Sequence, residues 1–220
     1  LNMKWAALFD WDGVIVDSSR YHEESWERLA EEENRELPPN HFKKGFGMRN
    51  ETIIPEILDW SHDRGEIRRL GRRKEELYRE LIREKALQPL PGVEKLLQSL
   101  HEKNVPCAVA SSTERRNIAV ALDTMGMSHE FGAIVAGDDV ENGKPDPEVF
   151  LTAARVLDTN PEHCVVFEDA HVGIEAARAG GMKVIAVTTT HPAETLQDAD
   201  LVVDGLDELN LTTIAERLGL

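Results

Sequence analysis

Five positions that could carry chemistry stand just beyond apolar runs of strand length: Asp10 and Asp12 after residues 6–9, Ser111 after 105–110, and Glu168 and Asp169 after 164–167. A sixth, Lys144, follows the apolar run 131–136 after a short loop. Clustered carboxylates can hold a hard divalent cation such as Mg2+, which takes oxygen ligands and keeps some waters. The cation and Lys144 together would neutralise a phosphoryl group. A carboxylate nucleophile beside a second acid that moves protons suits phosphoryl transfer through an aspartyl-phosphate.

Blander explanations exist for each member. Asp10-Trp11-Asp12-Gly13 could be a plain turn. A calcium-hand loop fails, because Gly13 is fourth rather than sixth and its twelfth residue is Tyr21. Ser111 and Glu114 fit a capping box. Lys144 alone reads as a solvated lysine, although Gly143-Lys144-Pro145-Asp146-Pro147 is a stiff setting. Glu168 and Asp169 could complement a helix dipole. Chemistry becomes the better explanation when all of these residues fall at strand ends on one rim.

That requires a parallel sheet. Apolar runs at 105–110, 131–136, 164–167, 184–187 and 201–203 alternate with amphipathic stretches at 93–103, 114–125, 171–179 and 211–218. A further helix is predicted from Asp146, as N-cap, and Pro147 to Leu157. Such alternation predicts a doubly wound α/β sheet covered on both faces. In these sheets ligands bind beyond the carboxyl ends of the strands. Acids at 10 and 12 would point apart on a strand. The turn at Gly13 allows them to converge.

Residues 19–88 interrupt this pattern and read as all-helical: 19–34, a helix from Asn50 as N-cap with Pro55 early in it, and a long helix over 65–86. Residues 41–48 read as a loop, and Gln88-Pro89-Leu90-Pro91-Gly92 as a linker. The predicted organisation is a catalytic core of 1–18 and 89–220 with an inserted helical cap of 19–88. Hinges fall near Ser18-Ser19 and residues 88–91, so that closure excludes water.

The net charge of −16 argues against nucleic acid and acidic membrane surfaces. The insert holds 15 of 25 Lys and Arg but only 16 of 41 Asp and Glu, so basic groups concentrate there. A phosphorylated substrate could be met from that side. No apolar run approaches the roughly 18 residues of a membrane span. The chain opens straight into its first strand with no leader, so a cytoplasmic location is expected. Cys107 and Cys164 lie in apolar runs and read as buried free thiols, which suits a reducing compartment.

These motifs resemble the haloacid dehalogenase superfamily of phosphotransferases, in its β-phosphoglucomutase-like subgroup with a helical cap. The resemblance rests on residues 9–18, Ala110-Ser111-Ser112, Gly143-Lys144-Pro145-Asp146-Pro147, and Phe167-Glu168-Asp169-Ala170 with Gly173-Ile174-Glu175-Ala176-Ala177. It spans essentially the whole chain. It implies that Asp10 is the nucleophile and Asp12 the general acid/base. Mg2+ would be held by Asp10, the Asp12 carbonyl and Asp169, with Glu168 in the first or second shell of ligands. Ser111 would bind phosphoryl oxygens, Ser112 would line the substrate, and Lys144 would offset charge and orient Asp10. Asp12 separates phosphotransferases from true dehalogenases.

His22, Lys44, Arg49 and Lys74 fall at or near positions similar to those with which the sugar-phosphate mutase senses its substrate. The loop around Gly45-Phe46-Gly47-Met48-Arg49 is about one residue longer than the mutase pattern. The resulting expectation is a Mg2+-dependent, monomeric phosphatase acting on a small phosphorylated metabolite, a sugar phosphate among the candidates. A β-phosphoglucomutase-type isomerase is the alternative. The intact acid set argues against a third reading, a catalytically silent binding protein.

Overall fold

A computed structural model describes residues 5–45 and 48–220. The opening residues 1–4, and Phe46 and Gly47 of the expected 41–48 loop, lie outside the described residues. The chain divides into two compact units, one of residues 1–17 and 87–220 and the other Ser18–Ala86.

The first unit is built on six strands: β1 (Ala6–Phe9), β2 (Cys107–Ala110), β3 (Ala133–Val135), β4 (Cys164–Glu168), β5 (Lys183–Val187) and β6 (Leu201–Val203). All pair in parallel, in the order β3-β2-β1-β4-β5-β6. This is the predicted doubly wound sheet, and the strand order reverses beside β1. Helices α5 (Val93–Glu102), α6 (Arg115–Met125), α7 (Glu148–Val156), α8 (His171–Ala179) and α9 (Leu211–Leu218) connect or follow the strands.

The two sheet faces follow from side-chain alternation. Ala6, Leu8, Ala108, Ala110, Val166 and Val184 pack with Val149, Phe150 and Ala153 of α7 and with Ile174 and Ala177 of α8. On the other face Phe9 stacks on Phe167, with ring centroids 4.5 Å apart. Cys107 and Cys164 are free and buried, and burial pushes their thiols up to about 12 and about 11.

Two strands are shorter than the apolar runs that announce them. Proline cannot donate to a ladder, so β2 starts after Pro106, whose carbonyl accepts the Ala7 N–H at 2.9 Å. β3 covers only Ala133–Val135 of the run 131–136. α7 begins at Glu148 with Pro147, rather than the expected Asp146, as its N-cap; Asp146 stands one residue earlier, its Oδ1 accepting the Glu148 N–H at 2.9 Å.

The second unit holds α1 (Ser19–Glu33), α2 (His41–Gly45), α3 (Asn50–Thr52) and α4 (Arg64–Glu84). α1 buries Tyr21, Ser25, Trp26, Leu29 and Ala30, a helical stripe. Trp26 and Leu29 join Ile53, Ile54, Leu58, Leu70 and Leu77 in one apolar cluster. α4 starts where Asp63 Oδ1 accepts the Glu66 N–H at 2.8 Å. The predicted loop over 41–48 is corrected: residues 41–45 are helical. The helix expected from Asn50 lasts one turn and then widens over Ile53–Ile57, with the Leu58 N–H reaching the Ile53 carbonyl at 2.9 Å. Pro55, with no N–H, sits inside that wide turn. Among the described residues no helix is long and apolar enough to cross a membrane.

A polar cluster lies within this helical unit. The Lys74 ammonium donates to His22 Nδ1 at 2.7 Å and to Glu75 Oε1 at 2.9 Å, and Asn50 donates to the same Glu75 oxygen at 2.8 Å. The His22 ring stacks on Tyr78 at 4.0 Å. Burial and the adjacent Lys74 charge lower His22 to about 3, against a smaller opposing pull from Glu75. Burial would raise Glu75, but Lys74, His22 and Asn50 outweigh it and hold it at about 2.

Both shifts act with the same sign. Between about 6.5 and about 3 the unfolded His22 binds a proton that the folded one refuses, so stability falls as pH falls through that window. Glu75 adds a loss as pH falls from about 4.5 towards about 2. Comparison of thermal melts of wild type and a His22 variant is expected to show roughly 2 kcal/mol of stability lost between pH 7 and pH 5 that is traceable to His22, set against the opposite trend of the raised Asp169. His22→Gln should flatten that part of the profile. An equally steep profile in the variant would contradict the assignment.

Candidate active site

β1 ends at Phe9, opposite Phe167 of β4, and the Asp10 N–H donates to the Phe167 carbonyl at 2.9 Å. This register sets Asp10 level with Glu168 and Asp169. The Lys144 ammonium comes from the loop between β3 and α7. It lies 2.9 Å from Asp10 Oδ1 and 2.5 Å from Glu168 Oε1. It also sits over the Phe150 ring, 4.8 Å from its centroid. The Lys144 side chain is only 6% exposed, so it is not a solvated surface lysine. Burial works against its charge, but Asp10 and Glu168 outweigh burial and hold its pKa above the ordinary lysine range.

The Glu168 carboxylate folds back over the start of α8, where Oε2 accepts the N–H groups of Asp169 at 2.7 Å and Ala170 at 2.9 Å. Gly173 leaves the room: a Cβ there would stand 1.7 Å from Glu168 Oε1. Burial raises the Glu168 pKa, against the pull of Lys144. Asp169 is pushed up to about 8 by burial, with Asp10 and Glu168 adding to the push and the Thr190 hydroxyl opposing it.

Carboxylate oxygens of Asp10, Glu168 and Asp169 all lie within 4.8 Å of one another. Three buried acids share one lysine, which is a strained charge balance. Asp10 Oδ1 is buried without an aligned hydrogen-bond donor, its neighbour being the Lys144 charge. An all-oxygen anionic donor set of three crowded carboxylates beside a single ammonium fits a hard divalent cation.

Asp12 sits differently. The chain turns tightly after Trp11, with the Gly13 N–H donating to the Val16 carbonyl at 2.8 Å. Gly13 has φ +78°, and a Cβ on it would stand 2.0 Å from Asp169 Oδ2, so only glycine lets this turn pass against Asp169. The Asp12 carboxylate is not among the three clustered ones. Its Oδ2 accepts from the Thr113 hydroxyl at 2.5 Å.

Ser111 is buried at the end of β2, its N–H donating to the Val135 carbonyl at 3.0 Å. Its hydroxyl oxygen accepts the Thr113 N–H at 3.2 Å. It caps no helix: α6 begins four residues later, at Arg115, and makes no side-chain cap bond. Ser112 is exposed. In the helical unit His22 and Lys74 are in contact, whereas Lys44 and Arg49 are exposed.

Three polar residues here were missed by sequence reasoning: Thr113, Thr190 and His191. Their signal is position alone. Thr113 is two residues past Ser111, and Thr188-Thr189-Thr190-His191 follows β5 as the other site residues follow their strands.

A doubly wound parallel sheet whose strand ends gather a buried lysine and three carboxylates beside the reversal of strand order defines a class of α/β proteins with an anionic-ligand or cation site at that rim. Residues 7–187 match the model of the haloacid dehalogenase-like hydrolases, and the chain belongs to that enzyme family. It is 39% identical over 207 residues to the chloroplastic 5-amino-6-(5-phospho-D-ribitylamino)uracil phosphatase of Arabidopsis thaliana, covering 93% of this chain and 55% of that protein. The chain therefore spans about half the length of that relative. It is 34% identical over 217 residues to the β-phosphoglucomutase of Bacillus subtilis, covering 96% and 94%. The crystal structure of β-phosphoglucomutase from Clostridium difficile superposes with a TM-score of 0.84 at 31% identity, covering 99% and 98%.

Proposed function

We propose that this chain is a Mg2+-dependent phosphatase acting on a small phosphorylated metabolite, a sugar phosphate among the candidates, through an aspartyl-phosphate on Asp10. The observation that carries this reading is the buried contact of Asp10 with Lys144 beside Glu168 and Asp169. Asp10, Asp169, Glu168 and the backbone carbonyl of Asp12 are the residues that would hold Mg2+. When bound, the ion supplies positive charge that offsets the phosphoryl oxygens and the crowded carboxylates.

An Asp10 carboxylate oxygen attacks phosphorus as the bond to the ester oxygen breaks. Asp12 gives its proton to that leaving oxygen. A water then attacks the phosphorus of the aspartyl-phosphate, Asp12 takes the water's proton, and the bond to Asp10 breaks to release phosphate. Lys144 holds Asp10 in line and offsets charge. Ser111 donates its hydroxyl proton to a phosphoryl oxygen, and Ser112 lines the substrate. We assign substrate selectivity to the helical unit through His22, Lys44, Arg49 and Lys74.

The second reading is a β-phosphoglucomutase-type isomerase, which hands the phosphoryl group to a sugar hydroxyl instead of water. The full-length match to the mutase favours keeping it. The higher identity to a phosphatase favours the first reading. Phosphate release, measured beside conversion of glucose 1-phosphate to glucose 6-phosphate, separates the two. Release without conversion is expected, and conversion without release would overturn the phosphatase reading.

A further inference from the structure

We propose that Thr190 and His191, on the loop after β5, are positioning residues that fix the Asp169 carboxylate for a divalent cation. The inference rests on the reading of Asp169 as a cation ligand and extends it to two residues outside the four strand-end motifs.

The Thr190 hydroxyl lies 2.5 Å from Asp169 Oδ2 and 3.1 Å from the Asp169 carbonyl oxygen. It has one proton to give, and the shorter contact directs that proton to the carboxylate. His191 Nδ1 lies 2.8 Å from the Thr190 oxygen and 3.0 Å from the Asp169 carbonyl. A carbonyl only accepts, so Nδ1 carries a proton and donates into this pair of oxygens. The result is a directed chain, His191 N–H to Thr190 O–H to Asp169 Oδ2. The His171 ring, at the start of α8, packs edge-on against His191 at 4.8 Å and limits its rotation.

Across from Thr190, the backbone of Gly13 closes on the same oxygen, Asp169 Oδ2. One carboxylate oxygen is thus bonded from the loop after β5 and packed against the turn after β1, which fixes the direction of the other. Carboxylates that bind metals are commonly oriented by such outer hydrogen bonds, and removing one typically weakens metal affinity by about 10–100-fold.

The test is a titration of the full chain with Mn2+, followed by electron paramagnetic resonance of the free ion, with folding checked by circular dichroism. Thr190→Val keeps the shape and removes the hydroxyl. It is expected to weaken Mn2+ binding by about 10–100-fold, and Thr190→Ser should restore it. His191→Ala should weaken binding by a smaller factor, and His191→Asn, whose amide N–H can stand in for Nδ1–H, should recover it. A folded Thr190→Val that binds Mn2+ as wild type does, while Asp169→Asn does not bind, would overturn this inference alone. Normal binding by Asp169→Asn would overturn the cation reading and the inference together. Should Thr190→Val fold poorly, the His191 pair decides: wild-type affinity in His191→Ala would overturn the inference.

Discussion

Asp10→Asn is expected to lower turnover of any phosphate ester by at least about 10,000-fold, the order of loss seen when a nucleophile is removed. The chain should stay folded. Asn is isosteric, and Lys144 keeps Glu168 as an ion-pair partner at 2.5 Å. The substitution also removes one of three crowded carboxylates, so thermal stability in the absence of divalent ions should hold or rise. Phosphate release and a thermal melt on the same preparation check both halves. Residual turnover within a factor of about ten of wild type would mean that another group attacks phosphorus.

Lys144→Met is expected to damage both fold and activity. Its ammonium is the cation that faces Asp10 and Glu168, and both partners are almost fully buried. Removing one partner of a buried ion pair leaves uncompensated charge and costs about 3–5 kcal/mol. Methionine fills much of the space beside Phe150, so the loss would report charge more than packing. Denaturant unfolding with a chelator present should show this destabilisation, and turnover should fall by about 100-fold or more as Asp10 loses its orientation. Unchanged unfolding free energy would show that the carboxylates are not held by Lys144.

Parallel strands end on one rim, so apolar runs that stop at Asp10, Ser111 and Glu168 announced neighbours that lie far apart in the chain. The six-stranded sheet followed from the same alternation. What could not be read was side-chain direction. The turn at Gly13 allows Asp10 and Asp12 to converge, but it does not announce that the Asp12 carboxylate meets Thr113, a residue whose hydroxyl carries no pattern of its own. Thr190 and His191 were passed over because a Thr run after a strand looks like any polar loop. Glycine spacing hinted at close approach, but the fact that Gly13 lies against Asp169 depends on tertiary register. Near Pro55 and at residues 41–45, local signals named a continuous helix and a loop where packing produced a wide turn and a helix.

Chemical trapping of the covalent adduct identifies the group that attacks phosphorus. Turnover of a phosphate ester would be quenched in acid, the acyl phosphate reduced with borohydride, and peptides identified by mass. Reduction of an aspartyl-phosphate yields homoserine, which is expected at position 10. Homoserine at another position, or none at all while phosphate is still being released, would contradict attack by Asp10.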